Sequence, residues 1–285
     1  MGFFQITASI VLYKQAMDAV KQTIESFLAT KLKVQLFLVA NSPLPELDGF
    51  ADDPRVHIIH AYDNPGFGKG HNLAIRKAGD SQYYLVLNPD TSFEPGVLET
   101  LFDYMEANPD VGNVMPKVLY PDGSLQRLCK LLPTPLNVWS RRFMPAPGWA
   151  QKLNRKYELH DFDYNSIMPI PNLSGCFMFI RNDVLRKTGG FDERFFLYLE
   201  DIDLNRRIAQ HAKTVFYPYV SLTHHYTRGS YNNRKLLRHH IVSAIKYFNK
   251  WGWIFDKERR KINRETLGLL KKSDQTLEVN KRKKL

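Results

Sequence analysis

Cysteine is scarce in this chain: Cys129 and Cys176 are the two examples among 285 residues. They form no C-x-x-C pair and stand beside no plausible zinc set. That excludes a disulfide framework and points to a reducing compartment. Long apolar runs are missing as well, since none approaches the roughly 20 residues that cross a bilayer. The opening Met1-Gly2-Phe3-Phe4-Gln5-Ile6-Thr7 lacks the basic lead and small-residue cleavage site of a secretion signal. The expectation is a cytoplasmic protein, at most peripheral on the inner face of the plasma membrane. No internal repeat is visible.

The apolar fraction is ordinary, 44%. In a chain of this length it suffices for one α/β domain with a substantial core. The formal charge of +11 is unevenly spread. Between Tyr226 and Leu285 there are 17 Lys/Arg and 5 Asp/Glu, a net of +12, while the first 225 residues hold 23 and 24, a net of −1. A basic region of this kind suits nucleic acid, a phosphate-rich ligand or an anionic membrane surface, and equally a solvated helical tail. It divides the chain into a main domain over 1–230 and a basic helical extension over 231–285.

Apolar runs at Ile6–Tyr13, Val34–Val39, Val56–Ile59 and Tyr83–Leu87 read as strands. Helical spacing marks Met17–Leu28, Gly70–Ala78, Pro95–Met105 and Arg234–Trp251. Strands alternating with helices predict a mostly parallel sheet flanked by helices. After Gly112 the pattern breaks among six prolines from Pro116 to Pro147, which reads as a long functional loop. Regularity returns at Leu173–Ile180, and a helix starts near Leu199.

Four segments can carry chemistry. Asn64-Pro-Gly-Phe-Gly-Lys-Gly-His-Asn72 follows a strand and opens a helix, where glycines admit a ligand and the helix N-terminus favours phosphate. It is not a dinucleotide fingerprint, because the third glycine is absent and it follows the third strand. Leu87-Asn-Pro-Asp-Thr91 ends a strand, and its Asp90 can bind Mg²⁺ or Mn²⁺ or simply cap a turn. In Leu199-Glu-Asp-Ile-Asp-Leu204, helical spacing puts Glu200, Asp203 and Arg207 on one face, where they can satisfy one another, leaving Asp201 as the better candidate for a base. In Thr223-His-His-Tyr-Thr-Arg-Gly-Ser230, adjacent histidines on a strand face opposite ways, so at most one is a ligand.

Together and in this order, over about Ile6 to Trp253, these segments resemble glycosyltransferase family 2, and within it the rhamnosyltransferase-like enzymes of bacterial O-antigen and capsule assembly. The resemblance implies a GT-A fold, a Rossmann-like sheet with nucleotide and acceptor sites. It assigns Ser9, Val11 and Tyr13 to the nucleoside pocket, with Asn64, Gly66, Gly68, Lys69 and Asn72 on the nucleotide-side loop. Asn88 and Asp90 take the D-x-D position, with Asp90 on the metal. Gly175 and Cys176 lie below the acceptor, joined by Asp203. Glu200-Asp201 matches the E-D pair, with Asp201 as base. His224, backed by Arg228 and Ser230, closes over the diphosphate. Two positions depart from the family pattern. Val39-Ala-Asn41 stands for Val-Asp-Asn, which hands base recognition to Asn41 or another group, and Asn88 replaces the first Asp of D-x-D.

The implied reaction is inverting transfer of a sugar, with rhamnose one option, from a UDP- or dTDP-sugar to a hydroxyl of a glycan or lipid-diphosphate-linked acceptor, with Mg²⁺ or Mn²⁺ as cofactor. A sugar-nucleotide nucleotidylyltransferase would need a Gly- and Arg/Lys-rich loop after the first strand, and Leu12-Tyr-Lys-Gln15 offers none. A basic nucleic-acid-binding protein would leave Asp90 and Glu200-Asp201 without a purpose, so no nucleic-acid partner is expected.

Overall fold

The computed structural model describes residues 3–143, 148–225 and 234–282, and the side chains of these except 141–143 and 272–282. Arg228 and Ser230 lie outside the described residues.

The first half builds a parallel sheet. Strands β1 (Phe4–Leu12), β2 (Val34–Ala40), β3 (Val56–His60) and β4 (Ser81–Leu87) pair in the order β3-β2-β1-β4. Every residue of β2 is buried, as expected for a parallel strand covered on both faces. Helices α1 (Met17–Leu28), α2 (Phe67–Lys77) and α3 (Val97–Ala107) make the crossovers. Val20, Ile24 and Phe27 of α1 pack under the sheet with Ile6, Ile10 and Leu36. Chain order reverses between β1 and β4, and a site is expected beyond the carboxyl ends of such strands.

The second half is mixed. β4 continues into β8 (Phe177–Arg181), which runs antiparallel to it and to β6 (Val111–Leu119). β6 pairs in parallel with β9 (Lys213–His224). The short β5 (Thr91–Ser92) and β7 (Met168–Pro169) add antiparallel to β9. The sheet is therefore parallel at its core, with three antiparallel strands inserted. The pairing Thr91↔His224 is the one that matters for function. It lays the turn after β4 against the end of β9.

The proline-rich stretch is not a structureless loop. It holds β6, helix α4 (Pro135–Phe143) and helix α5 (Gly148–Tyr157). Pro116 falls at a register shift between β6 and β9, where a bulge absorbs its missing donor. Pro135 opens α4, where a missing N–H costs nothing.

Helices α6 (Asn182–Thr188) and α7 (Glu200–Ile208) follow β8, and α8 (Arg234–Trp251) and α9 (Lys257–Arg282) close the chain. Tyr247 and Phe248 of α8 pack with Phe195 and Leu199. Arg206 of α7, 1% exposed, holds Asp256 through contacts of 2.6 and 2.7 Å and Glu258 at 2.8 Å. The Arg206 guanidinium also lies over the Trp251 ring. The C-terminal helices are thus tied to the main body by a buried ion pair. Among the described residues no helix is long and apolar enough to cross a membrane.

Candidate active site

The segment before α7 sets the geometry of its acidic first turn. Tyr198 and Leu199 both adopt positive φ, 72° and 63°. For non-glycine residues this conformation costs roughly 1 kcal/mol or more each and persists only where packing enforces it. Here Leu199 is buried against Phe195, Tyr247 and Phe248. The strained turn aims Glu200 and Asp201 into a cleft of about 750 Å³.

Asp201 is bound at both oxygens. Its Oδ2 accepts the Gly175 N–H at 3.0 Å and its Oδ1 accepts the Ile202 N–H at 2.8 Å. A Cβ at position 175 would come within 3.0 Å of the Asp201 Cβ, so the close approach uses the absence of a side chain. Burial raises the Asp201 carboxyl above its usual value, against the lowering pull of these N–H groups and of Lys130. Glu200 is more extreme. It is 4% exposed, its Oε2 has no hydrogen-bond partner, and burial followed by the Asp201 charge holds it well above the carboxylate range. Two adjacent carboxyls in one cleft do not both ionise readily. The better-solvated charge belongs to Asp201, which has two donors, and the proton stays on Glu200.

Glu200 is therefore not part of a salt-bridge row with Asp203 and Arg207, contrary to the helical-spacing expectation. The Asp203–Arg207 contact forms, at 2.8 Å. Asp203 also meets Trp251 Nε1 at 2.8 Å and Lys250 Nζ at 2.6 Å, and it is fully buried. It faces the C-terminal helices, so the acceptor role implied for it does not fit its position.

The same cleft is lined by His224. Its orientation follows from Gln126, a residue the sequence reading passed over. Gln126 Nε2 donates to the His224 carbonyl at 2.7 Å, which fixes the amide, and Oε1 then faces His224 Nδ1 at 3.0 Å. An oxygen there requires the proton on Nδ1. In the neutral ring this leaves the Nε2 lone pair turned toward Asp90 Oδ1 at 3.3 Å and Asn88 Nδ2 at 3.4 Å. Asp90 Oδ1 is buried with no hydrogen-bond partner. An orphaned carboxylate oxygen facing an imidazole lone pair fits a divalent cation. Among the described residues no group of three or more His, Cys, Asp or Glu gathers to hold a metal alone. Two protein donors plus phosphate oxygens is an ordinary arrangement for Mg²⁺ or Mn²⁺. His225 is exposed, and its N–H donates to the Asp90 carbonyl.

Asn88, Ser174, Gly175 and Cys176 line the same cleft. Burial pushes the Cys176 thiol up to about 12, so it is a neutral wall and no nucleophile. Lys130, Arg127, Glu158, His160 and Tyr198 line the far wall. None of these five had a recognisable spacing in the sequence.

The residues assigned to the nucleotide divide. Ser9 is fully buried, accepting from the Tyr84 hydroxyl at 2.8 Å and meeting His71 Nδ1 at 2.7 Å. It serves the core, and burial drops His71 to about 3, leaving it neutral. Asn72 bonds the Phe191 N–H and carbonyl and reaches Glu193, tying α2 to the segment before α7, so it too is committed. Val11 is buried against Gly70. The backbone N–H of Phe67 donates to the Phe196 carbonyl, so this helix N-terminus is partly plugged by protein. Gly66 has φ 96°, and a Cβ there would lie 2.3 Å from that same carbonyl. Gly68 presses on Phe191 in the same way. Asn41 Nδ2 holds Asn64 Oδ1 and the Gly66 carbonyl, while its buried Oδ1 has no partner. Tyr13, 41% exposed, stands past the end of β1, and Lys69 is partly exposed on the first turn of α2.

Comparison with known proteins bears on the fold and the family. The family model described as "Glycosyltransferase like family 2" matches residues 6–240. A relative from Mycobacterium tuberculosis, named N-acetylglucosaminyl-diphospho-decaprenol L-rhamnosyltransferase, is 27% identical over 67% of this chain and 66% of its own length. The rhamnosyltransferase WbbL of Escherichia coli is 25% identical over 64% of this chain and 69% of its own. The crystal structure of GalNAc-T7 with UDP, GalNAc and Mn²⁺ superposes with a TM-score of 0.62 at 12% identity, covering 88% of this chain and 50% of that one. The chain thus spans just under two thirds of the first relative and half of the GalNAc-T7 chain. The fold is GT-A.

Proposed function

Because this chain belongs to glycosyltransferase family 2, we propose that it transfers a sugar from a UDP- or dTDP-nucleotide to an acceptor hydroxyl with inversion, on the cytoplasmic side, within a catalytic part spanning 1–230. One observation carries the reading. A carboxylate held by two backbone N–H groups, Asp201, and the imidazole of His224, with Asp90 3.3 Å from it, belong to one cleft.

Asp201 accepts the proton of the acceptor hydroxyl as that oxygen forms its bond to the anomeric carbon. The bond to the nucleoside diphosphate breaks on the far face of the sugar, so configuration inverts. A glycosidase would need a second carboxylic acid against its leaving group. Asp90 and His224 would hold Mg²⁺ or Mn²⁺, which when bound supplies charge neutralisation for the departing diphosphate. Glu200, protonated, adds no second charge beside the base. The relatives named as rhamnosyltransferases support rhamnose as the sugar, and the diphospho-decaprenol acceptor in one of those names supports a lipid-diphosphate-linked glycan.

The test is a transfer assay across UDP- and dTDP-sugars with Mn²⁺, repeated in EDTA and with Asp90→Ala. Turnover with one donor class, abolished by EDTA and by the substitution together with weakened nucleotide binding, is the expected result. Full activity in EDTA removes the metal from the mechanism, and no transfer from any donor removes the reading.

A further inference from the structure

Behind the wall of the active-site cleft lies a second, larger concavity of about 1040 Å³. The two share a partition. Lys130 lines the cleft and Leu131 and Leu132 the groove. Asn154 of α5 and Glu158 just past its end line the cleft, while Leu153 and Tyr157 of α5 line the groove. The floor is apolar, completed by Leu267 of α9. Lys156, Arg260, Arg264 and Lys271 rim it, and among the described residues no acidic one lines it. At its mouth the turn between α8 and α9 exposes Trp253 at 44%, Ile254 at 65% and Phe255 at 86%.

An apolar trough edged by cations of one sign, with an aromatic and aliphatic turn projecting beside it, matches the layered chemistry of an anionic bilayer surface. Lys and Arg stems lie along apolar surface and carry their charges to a headgroup layer. Trp prefers that same depth. We propose that this face docks on an anionic lipid leaflet, with the 253–255 turn inserted among the acyl chains and the α9 cations on lipid phosphates. The shared partition then sets the catalytic cleft beside the membrane. The inference rests on this surface alone and not on the transfer reaction.

Its test uses the full chain and two vesicle types, phosphatidylcholine alone and phosphatidylcholine with phosphatidylglycerol. Co-sedimentation is expected with the anionic vesicles, weakening as salt rises, and not with the neutral ones. Ile254→Asp with Phe255→Asp, and separately Arg264→Glu with Lys271→Glu, should each lower partitioning by about tenfold or more. Circular dichroism melts and donor hydrolysis without vesicles should stay at the wild-type level, since these side chains are exposed or on the groove rim and outside the cleft. Equal binding by wild type and both variants overturns the proposal. So does loss of a dimer in gel filtration on Phe255→Asp with no vesicle binding in the wild type, which would make the face a protein interface. Absence of donor hydrolysis with intact vesicle binding would count against the enzymatic reading and leave the docking surface standing.

Discussion

Asp201→Asn separates the base from its surroundings, and the structure says what else the change does. The carboxylate receives one backbone N–H on each oxygen, Ile202 at 2.8 Å and Gly175 at 3.0 Å. An Asn has one acceptor oxygen, so its NH₂ must confront one of those N–H groups. Leaving a donor unpaired in a partly buried site costs about 1–3 kcal/mol. Set against a typical total of about 5–15 kcal/mol, the variant stays folded but melts lower. Loss of the proton acceptor should lower turnover by about 10²–10⁴. The affinity for UDP with Mn²⁺ should hold near wild type, because the proposed metal donors are Asp90 and His224 and not Asp201. The pH profile gives the sign. A base works ionised, so wild-type activity is present above the apparent ionisation of the Glu200–Asp201 pair and lost as pH falls through it. That acidic limb should vanish from the residual activity of the variant. Turnover with saturating donor, calorimetric UDP binding and a melting curve test all three parts. Near-normal turnover refutes the assignment, as does a rate loss that tracks a loss of nucleotide binding.

Other predictions concern the groups around that base. Glu200 is pushed up to about 8 by burial first and the Asp201 charge second; it keeps its proton in the fold while the unfolded chain loses it near 4.5, so stability falls between those values, by on the order of 5 kcal/mol. Glu200→Gln should flatten that fall in melts from pH 5 to 8.5, and parallel curves for the two proteins would contradict the burial argument. Gln126→Leu should weaken Mn²⁺ binding in the presence of UDP by about 10–100-fold through loss of the His224 anchor, whereas Gln126→Glu, which still accepts from Nδ1, should retain it; a titration in which both behave alike rules out the anchoring role. Likewise His224→Ala should reduce turnover far more than His225→Ala, and equal losses in a steady-state assay would reverse the ligand assignment. Asp256→Ala strands the buried Arg206 with only the half-exposed Glu258, and urea unfolding should register about 3–5 kcal/mol, a loss under 1 kcal/mol showing the pair to be incidental.

The parallel half of the fold was legible because its strands are short, mostly apolar runs and its first helix is periodic. β1, α1, β2, β3 and β4 lie within a few residues of the expected runs. The mixed half was not, and prolines are the reason. Pro116 within β6 and Pro135 at the head of α4 read as breakers, yet each sits where its missing N–H costs nothing. Reading that stretch as loop hid Gln126, Lys130 and the α5 wall. The single residues that matter there have no period, since a glutamine that orients a histidine 98 positions away leaves no local trace. On α7 the i, i+4 spacing correctly joined Asp203 to Arg207. It could not foresee that Lys250 and Trp251 would close over Asp203. Nor did it foresee that two positive-φ residues would turn Glu200 away from that row.

The two departures from the family pattern acquire a physical sense from the geometry. Asn41 holds the Asn64–Gly66 loop with its Nδ2 and keeps a buried, unpartnered Oδ1 at the carboxyl end of β2. A buried carbonyl oxygen of this kind is a costly orphan unless something donates to it. The pyrimidine N–H of a uridine or thymidine nucleotide is such a donor, and an amide oxygen can accept it as a carboxylate would. At the other position Asn88 directs its Nδ2 at His224 Nε2 rather than adding a second negative charge beside Asp90. The protein then offers a cation one carboxylate and one imidazole, which leaves further negative charge to come from a diphosphate. If this pair holds the cation, its sparing negative charge predicts weak binding until a nucleotide supplies phosphate oxygens. On that reading Mn²⁺ is expected to bind more tightly with UDP present than without it, and a calorimetric titration giving equal affinities would count against it.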